Sequence, residues 1–145
     1  MSDGVSYEDY LDRYGTLTYT NTGASMRPLL REGRDLFIVR KKGAERCAVG
    51  DVVLFRRAPD KYVLHRVVEV RAEDYVTLGD NSVIKEYGVR DGDILGVMTG
   101  FVRGGREHSV TEAGYRVYAA LWVRTAPLRA AAKKAVGKIR RGIKR

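Results

Sequence analysis

Cysteine is almost absent from this chain of 145 residues, where Cys47 stands alone. One thiol cannot close an internal disulfide, and it rules out a Cys-rich zinc site. Histidine is nearly as scarce, with only His65 and His108, so no metal centre is expected, and nothing implies an organic cofactor. Three prolines stand against sixteen glycines, a balance that favours many turns and a β-rich architecture. No apolar run approaches the roughly 18 residues that suggest a transmembrane helix. The stretch MSDGVSYEDYLDRYG at the start lacks the basic and apolar regions of a signal peptide. The expected compartment is the cytosol, where one reduced thiol is ordinary.

Hydrophobic residues make up 44% of the chain, enough for a core, which excludes wholesale disorder. The length suits one domain, or one domain with an appendage. Lys and Arg outnumber Asp and Glu by 27 to 18, for a net charge of +9. That excess is local. From Arg129 to Arg145 there are eight basic residues and no acid, so the preceding 128 residues carry about +1. Electrostatic arguments about partners therefore concern the tail.

Ser6-Tyr7-Glu8-Asp9 has the form of a capping box and predicts a short helix over Tyr7 to Tyr14, stopped by Gly15. Tyr7, Tyr10 and Tyr14 share one face of it, suited to packing. Thr16 to Thr20 alternates and is rich in threonine, so it reads as a strand. Further strands are expected at Asp35–Val39, Val52–Phe55, Tyr62–Val70, Tyr75–Leu78 and Ile94–Val102. Turn chemistry at Ala58-Pro59-Asp60 joins the third and fourth of these six strands into a hairpin. After about Thr111, Tyr115, Val117, Tyr118, Leu121 and Trp122 have helical spacing. Pro127 is expected to interrupt this segment. Beyond it, Leu128, Ala132, Ala135, Ile139 and Ile143 recur every three or four residues, an amphipathic helix with Lys and Arg on its other sides. The expected fold is mainly β: a compact, barrel-like coiled antiparallel sheet over residues 1–110 with a short N-terminal helix. Residues 111–145 form a helical appendage with a basic tail.

Three short segments can carry chemistry. Ser25 lies where a strand ends in a turn, and the small Gly23 and Ala24 beside it leave room for a substrate backbone. A serine hydroxyl needs a base within reach and donors for the oxyanion it generates. His65 lies in Tyr62-Val63-Leu64-His65-Arg66-Val67-Val68, a strand otherwise built for burial. Leu78-Gly79-Asp80-Asn81 closes the next strand. Taken singly, each has a plain structural reading: a turn serine, a packed histidine and an Asx turn.

Together, the Ser-Met-x-Pro turn, the Val-x-His-Arg-Val-Val strand and Gly-Asp-Asn resemble the signal peptidase and repressor self-cleavage superfamily of serine peptidases. The resemblance runs from about Thr16 to Val102 and is strongest to small soluble members. His65-Arg66-Val67 is similar to the endoplasmic-reticulum type, whose base is histidine where other members use lysine. The resemblance implies that Ser25 is the nucleophile, with its backbone N–H one oxyanion donor, and that His65 is the general base. It implies that Asp80 braces the site, either by orienting His65 or by holding the turn beneath it. Some members carry a hydroxyl donor at the position of Gly23. The endoplasmic-reticulum type places an acid a few positions beyond Gly-Asp-Asn, where the nearest acid here is Glu86, and its role is open. Lys61 lies on the strand face of His65 but about 13 Å away along it, and Lys85 remains a formal alternative base. Arg27, next but one after the nucleophile, is read as facing water. Family signal peptidases carry a membrane span shortly before the serine, and none is found here.

The expected partner is a peptide or protein substrate. For Arg129 to Arg145 three readings stand: a solvated helix end, a surface helix on anionic lipid, and nucleic-acid binding as the weaker third. The lipid reading places the protein at the periphery of a membrane. Its apolar face is read as mostly alanine, with Tyr118, Leu121 and Trp122 packing on the β body. Two rivals to the peptidase remain: a non-catalytic module of the same fold that docks through the tail, and a self-cleaving enzyme. For the latter no Ala-Gly or Cys-Gly cleavage loop precedes Ser25.

Overall fold

The computed structural model describes residues 6–59 and 61–143. The first five residues, Asp60 of the predicted turn, and Lys144 and Arg145 of the tail lie outside them. Helix α1 spans Tyr7–Tyr14 and has the caps its sequence calls for. Ser6 Oγ accepts from the Asp9 amide at 3.0 Å. Gly15, at φ 76°, donates to the Leu11 carbonyl at 2.8 Å and ends the helix. Leu11 is the buried residue of this helix.

Eight strands follow: β1 Thr16–Thr20, β2 Leu36–Lys41, β3 Val52–Arg57, β4 Lys61–Val70, β5 Tyr75–Leu78, β6 Glu86–Val89, β7 Ile94–Arg103 and β8 Arg106–Ser109. They form one antiparallel sheet in the order β1-β2-β7-β3-β4-β5-β6, with β8 also on β7. The sheet is not closed, which corrects the barrel-like expectation. Among the described residues, the short outer strands β1 and β6 each pair on one side only. The sheet forks at β7. The first half of that strand pairs with β3, and its second half lies between β2 and β8. Register shifts at Ile38/Val39 and Leu54/Phe55 add local twist where the fork opens. Gly100 lets β8 come close, since a Cβ there would lie 2.5 Å from the His108 carbonyl oxygen.

Strand β3 divides the interior. Val52 and Leu54 point into a core with Leu11, Leu17, Met26, Leu30, Phe37, Met98 and Phe101. Val53 and Phe55 point into a second core with Cys47, Val67, Tyr75, Val89, Ile94 and Val97. A strand buried on both faces has no need of polar alternation, and this one reads Val-Val-Leu-Phe.

Three features depart from the sequence reading. Strands β6 and β8 are added to the six that were expected. Glu-Tyr-Gly-Val and Arg-Glu-His-Ser have weak strand character, and pairing to β5 and β7 recruits them. His108, which its place near a hairpin end predicts to be exposed, is half-buried, stacked on Phe101 and 3.0 Å from Glu112. Helix α2 runs unbroken from Ala113 to Ile143 with Pro127 inside it. Proline removes one amide donor, but packing grips the helix on both sides of it. Trp122 and Ala126 before it pack on the β body, Arg129 stacks back across it on the Trp122 ring of the same helix at 4.2 Å, and Lys133 beyond it reaches Asn81.

Candidate active site

Ser25 is carried by the loop between β1 and β2, which is tied down at both ends. The buried Asn21 donates from its side chain to the Gly23 carbonyl at 2.8 Å, and its backbone pairs with Asp35 and Gly33. The Arg31 guanidinium donates twice to Asp35 at 3.0 Å, and the Arg31 amide once at 2.8 Å. The Arg31 hydrogen bonds hold the Asp35 carboxyl down at about 2 against the opposing effect of burial. Met26, Leu29 and Leu30 sink into the first core. Apolar anchors follow Ser25, and backbone clamps flank it. Arg27 faces outward and pairs with Glu32 at 2.9 Å.

His65 lies mid-strand in β4, opposite Val53 of β3. Its ring stands edge-on to Phe55, with centroids 6.3 Å apart. Its Nδ1 is 3.1 Å from Glu86 Oε1, within hydrogen-bond distance but not at a hydrogen-bond angle. The same carboxylate oxygen receives Arg57 Nη2. Burial pushes the His65 pKa below its ordinary 6.5, the Glu86 charge opposes this, and Arg57 pushes it further down. The imidazole is therefore neutral at pH 7. Nδ1 lies beside the Glu86 carboxylate, and Nε2 lies toward Gly79.

Gly79 is the point of closest convergence. A Cβ there would meet the Ser25 carbonyl oxygen at 2.6 Å, Ser82 Oγ at 2.7 Å and His65 Nε2 at 3.0 Å. Three segments distant in sequence thus crowd one small volume that only glycine leaves open. The following residues fasten the serine loop: the Asn81 amide donates to the Ser25 carbonyl at 2.8 Å, and its side chain to Ala24 at 3.2 Å.

The Asp80 carboxylate enters a buried network, and its charge also acts on His65, raising its pKa. Arg66 Nε and Nη2 donate to its two oxygens at 2.8 and 2.9 Å, and the Tyr118 hydroxyl donates at 2.7 Å. Arg66 also donates to the Gly50 carbonyl at 2.7 Å and to the Tyr115 hydroxyl at 3.1 Å. Burial works against the Arg66 charge, but the Asp80 hydrogen bonds and charge outweigh it and hold the guanidinium firmly protonated. Trp122 Nε1 donates to the Asp80 carbonyl at 2.8 Å. Of the two bracing roles open to Asp80, its contacts are those of the turn. The carboxylate beside the His65 ring belongs to Glu86.

Ser25 and His65 line one cleft of about 330 Å³, with Gly23, Arg57, Tyr62 and Ser82. His65 also lines an adjoining cleft of about 490 Å³ with Ser82, Ile84, Glu86 and Lys133. Lys61 and Lys85 are exposed and line neither. Lys133 is engaged with Asn81 Oδ1 at 2.6 Å and with the Asn81 carbonyl. Sequence reasoning passed over Ser82, Arg57 and Lys133. Only Ser82 carried a signal, as the residue directly after Gly-Asp-Asn. Among the described residues, no cluster of three or more His, Cys, Asp or Glu is placed to hold a metal ion. Cys47 is buried, and burial raises its thiol pKa.

Comparison of the chain with protein-family models, curated proteins and solved structures finds no match.

Proposed function

We propose that the protein is a serine endopeptidase of the signal-peptidase type, with Ser25 as nucleophile, His65 as general base and Glu86 as the acid that orients the imidazole. The observation that carries this reading is the meeting of the Ser25 loop and His65 Nε2 at Gly79, on one cleft. Nε2 takes the Ser25 hydroxyl proton as Oγ attacks the scissile carbonyl. The Ser25 backbone N–H donates to the oxyanion. Collapse breaks the C–N bond, and the amine leaves with the proton from His65. A water then gives His65 a proton, attacks the acyl carbon and releases Ser25 with its proton restored.

The substrate is an extended segment. Val63, Leu64 and His65 of β4 are in register with β3, and β5 begins its pairing at Arg66. The β4 edge at these three residues leads to the base and suits an added peptide strand.

One observation favours a second reading. Ser82 Oγ approaches the Gly79 point as closely as the Ser25 loop does, and it lines both clefts. Ser82 as nucleophile is thus the competing assignment. Ser25→Ala, His65→Ala and Ser82→Ala, each checked for folding by circular dichroism, are to be assayed on a library of extended peptides and labelled with a fluorophosphonate. The expected result is a loss of kcat/KM of about a thousandfold or more for the first two, with the label on Ser25. A label on Ser82 that survives Ser25→Ala moves the nucleophile to Ser82. No cleavage and no label in the wild type would return the fold to a binding module.

A further inference from the structure

Helix α2 is about 45 Å long at 1.5 Å per residue, and one side of it is exposed along most of that length. Tyr115, Tyr118, Ala119, Trp122 and Ala126 hold it to the β body. At about 100° per residue, Val117, Leu121, Leu128, Val136, Ile139 and Ile143 fall on another face, turned by roughly 100° from the first. All six are exposed, Leu128 at 71% and Ile143 at 78%. Tyr118 and Trp122 pack inward as expected, but Leu121 belongs to this outer stripe. The apolar face is therefore longer and richer than the alanine-dominated one read from residues after Pro127.

Charge identifies the occupant. From Ala113 to Ile143 there are eight Lys and Arg and no acid. Arg124 and Lys138 border the stripe on one edge, and Arg129 and Arg140 on the other. An apolar stripe rimmed by cations matches acyl chains beneath anionic headgroups. Nucleic acid would use the cations and leave the stripe in water. A second copy would bring two uncompensated positive helices together. Among the described residues no helix is long and apolar enough to cross a membrane, so this one would lie on the surface.

We infer that α2 is a membrane-docking helix that seats the protein on anionic lipid through the stripe from Val117 to Ile143. Docking holds the candidate active site close to the membrane, because Lys133 of the same helix contacts Asn81 and lines the cleft beside His65. The docking itself is independent of the peptidase reading and can be measured on the full-length Ser25→Ala protein.

The test is co-sedimentation of the full chain with vesicles of phosphatidylcholine containing phosphatidylserine, and with vesicles of phosphatidylcholine alone. Binding is expected only to the anionic vesicles, weakening as salt rises. The triple variant Lys134→Gln, Lys138→Gln, Arg141→Gln should bind about a hundredfold more weakly. Leu128→Gln with Ile139→Gln keeps the charge and should also lose binding, while turnover of a soluble peptide stays unchanged. Equal binding to both vesicle types, or unchanged binding by the Leu128/Ile139 variant, would overturn the inference. So would tight binding of duplex DNA by protein that ignores vesicles, or a concentration-dependent dimer that the Leu128/Ile139 variant abolishes.

Discussion

His65 is nearly buried, and that burial sets its chemistry. A base must be neutral to accept a proton, and desolvation favours the neutral ring. Its charge change is therefore displaced to the acid side of 6.5. The acid limb of kcat/KM against pH, which reports the free enzyme, is expected below that value. A limb at or above 7 would show that another group titrates. Glu86→Gln separates orientation from mere packing. The Glu86 charge raises the His65 pKa, and its removal also leaves Arg57 unopposed, so the limb should move to still lower pH. The plateau should fall by about a hundredfold or more as the ring loses the carboxylate proposed to orient it. A reduced plateau with an unmoved limb would mark a structural role alone.

The Gly-Asp-Asn turn works as an element through its contacts on both sides. Asn81 clips the serine loop, and Asp80 anchors α2 and β4 through Tyr118, Trp122 and Arg66. Arg66 and Asp80 side chains are both 1% exposed. A buried pair of this kind adds little over an apolar replacement, yet losing one partner strands the other charge. Asp80→Asn is accordingly expected to cost about 3–5 kcal/mol, read as a lowered urea midpoint with an unchanged slope. A cost below about 1 kcal/mol would mean that water reaches Arg66. The same reasoning explains a histidine-arginine pair in a strand built for burial: consecutive residues face opposite sides, and each side supplies a carboxylate.

For the molecule as a whole, acid stability depends in part on the tie between the serine loop and β2. Asp35 has a folded pKa of about 2 against an ordinary 3.8. The folded state then binds fewer protons than the unfolded chain between those values. Its stabilising contribution is complete above 3.8 and fades as pH falls toward 2. Asp35→Asn should be less stable than wild type at pH 7, and the gap should narrow across that acid window. A constant gap down to pH 2 would show that the carboxylate charge is not what holds the loop. The same molecule is divided electrically, with a near-neutral β body and a strongly cationic helix, so salt should weaken its lipid contacts far more than its fold.

Local signals determined much of this protein. Capping chemistry set α1 from Ser6 to Gly15, alternation and β-branching set β1 to the residue, the run Tyr75–Leu78 ahead of Gly79 set β5, and the cationic character of α2 needed no fold to be seen. These features depend on neighbours along the chain, and so they are legible in it. Tertiary structure decided the rest. Strands β6 and β8 exist through their partners, and the helix survives Pro127 because packing grips both sides. That the sheet stays open and forks at β7 is decided by strand pairing, which no segment encodes alone. Ser25 and His65 could be named as candidates from their motifs. That Glu86 approaches the imidazole while Asp80 turns to Arg66, and that Ser82 joins the same point, depends on distances between segments remote in sequence. Such distances arise only when the sheet coils and brings their backbones to a glycine with no side chain in the way.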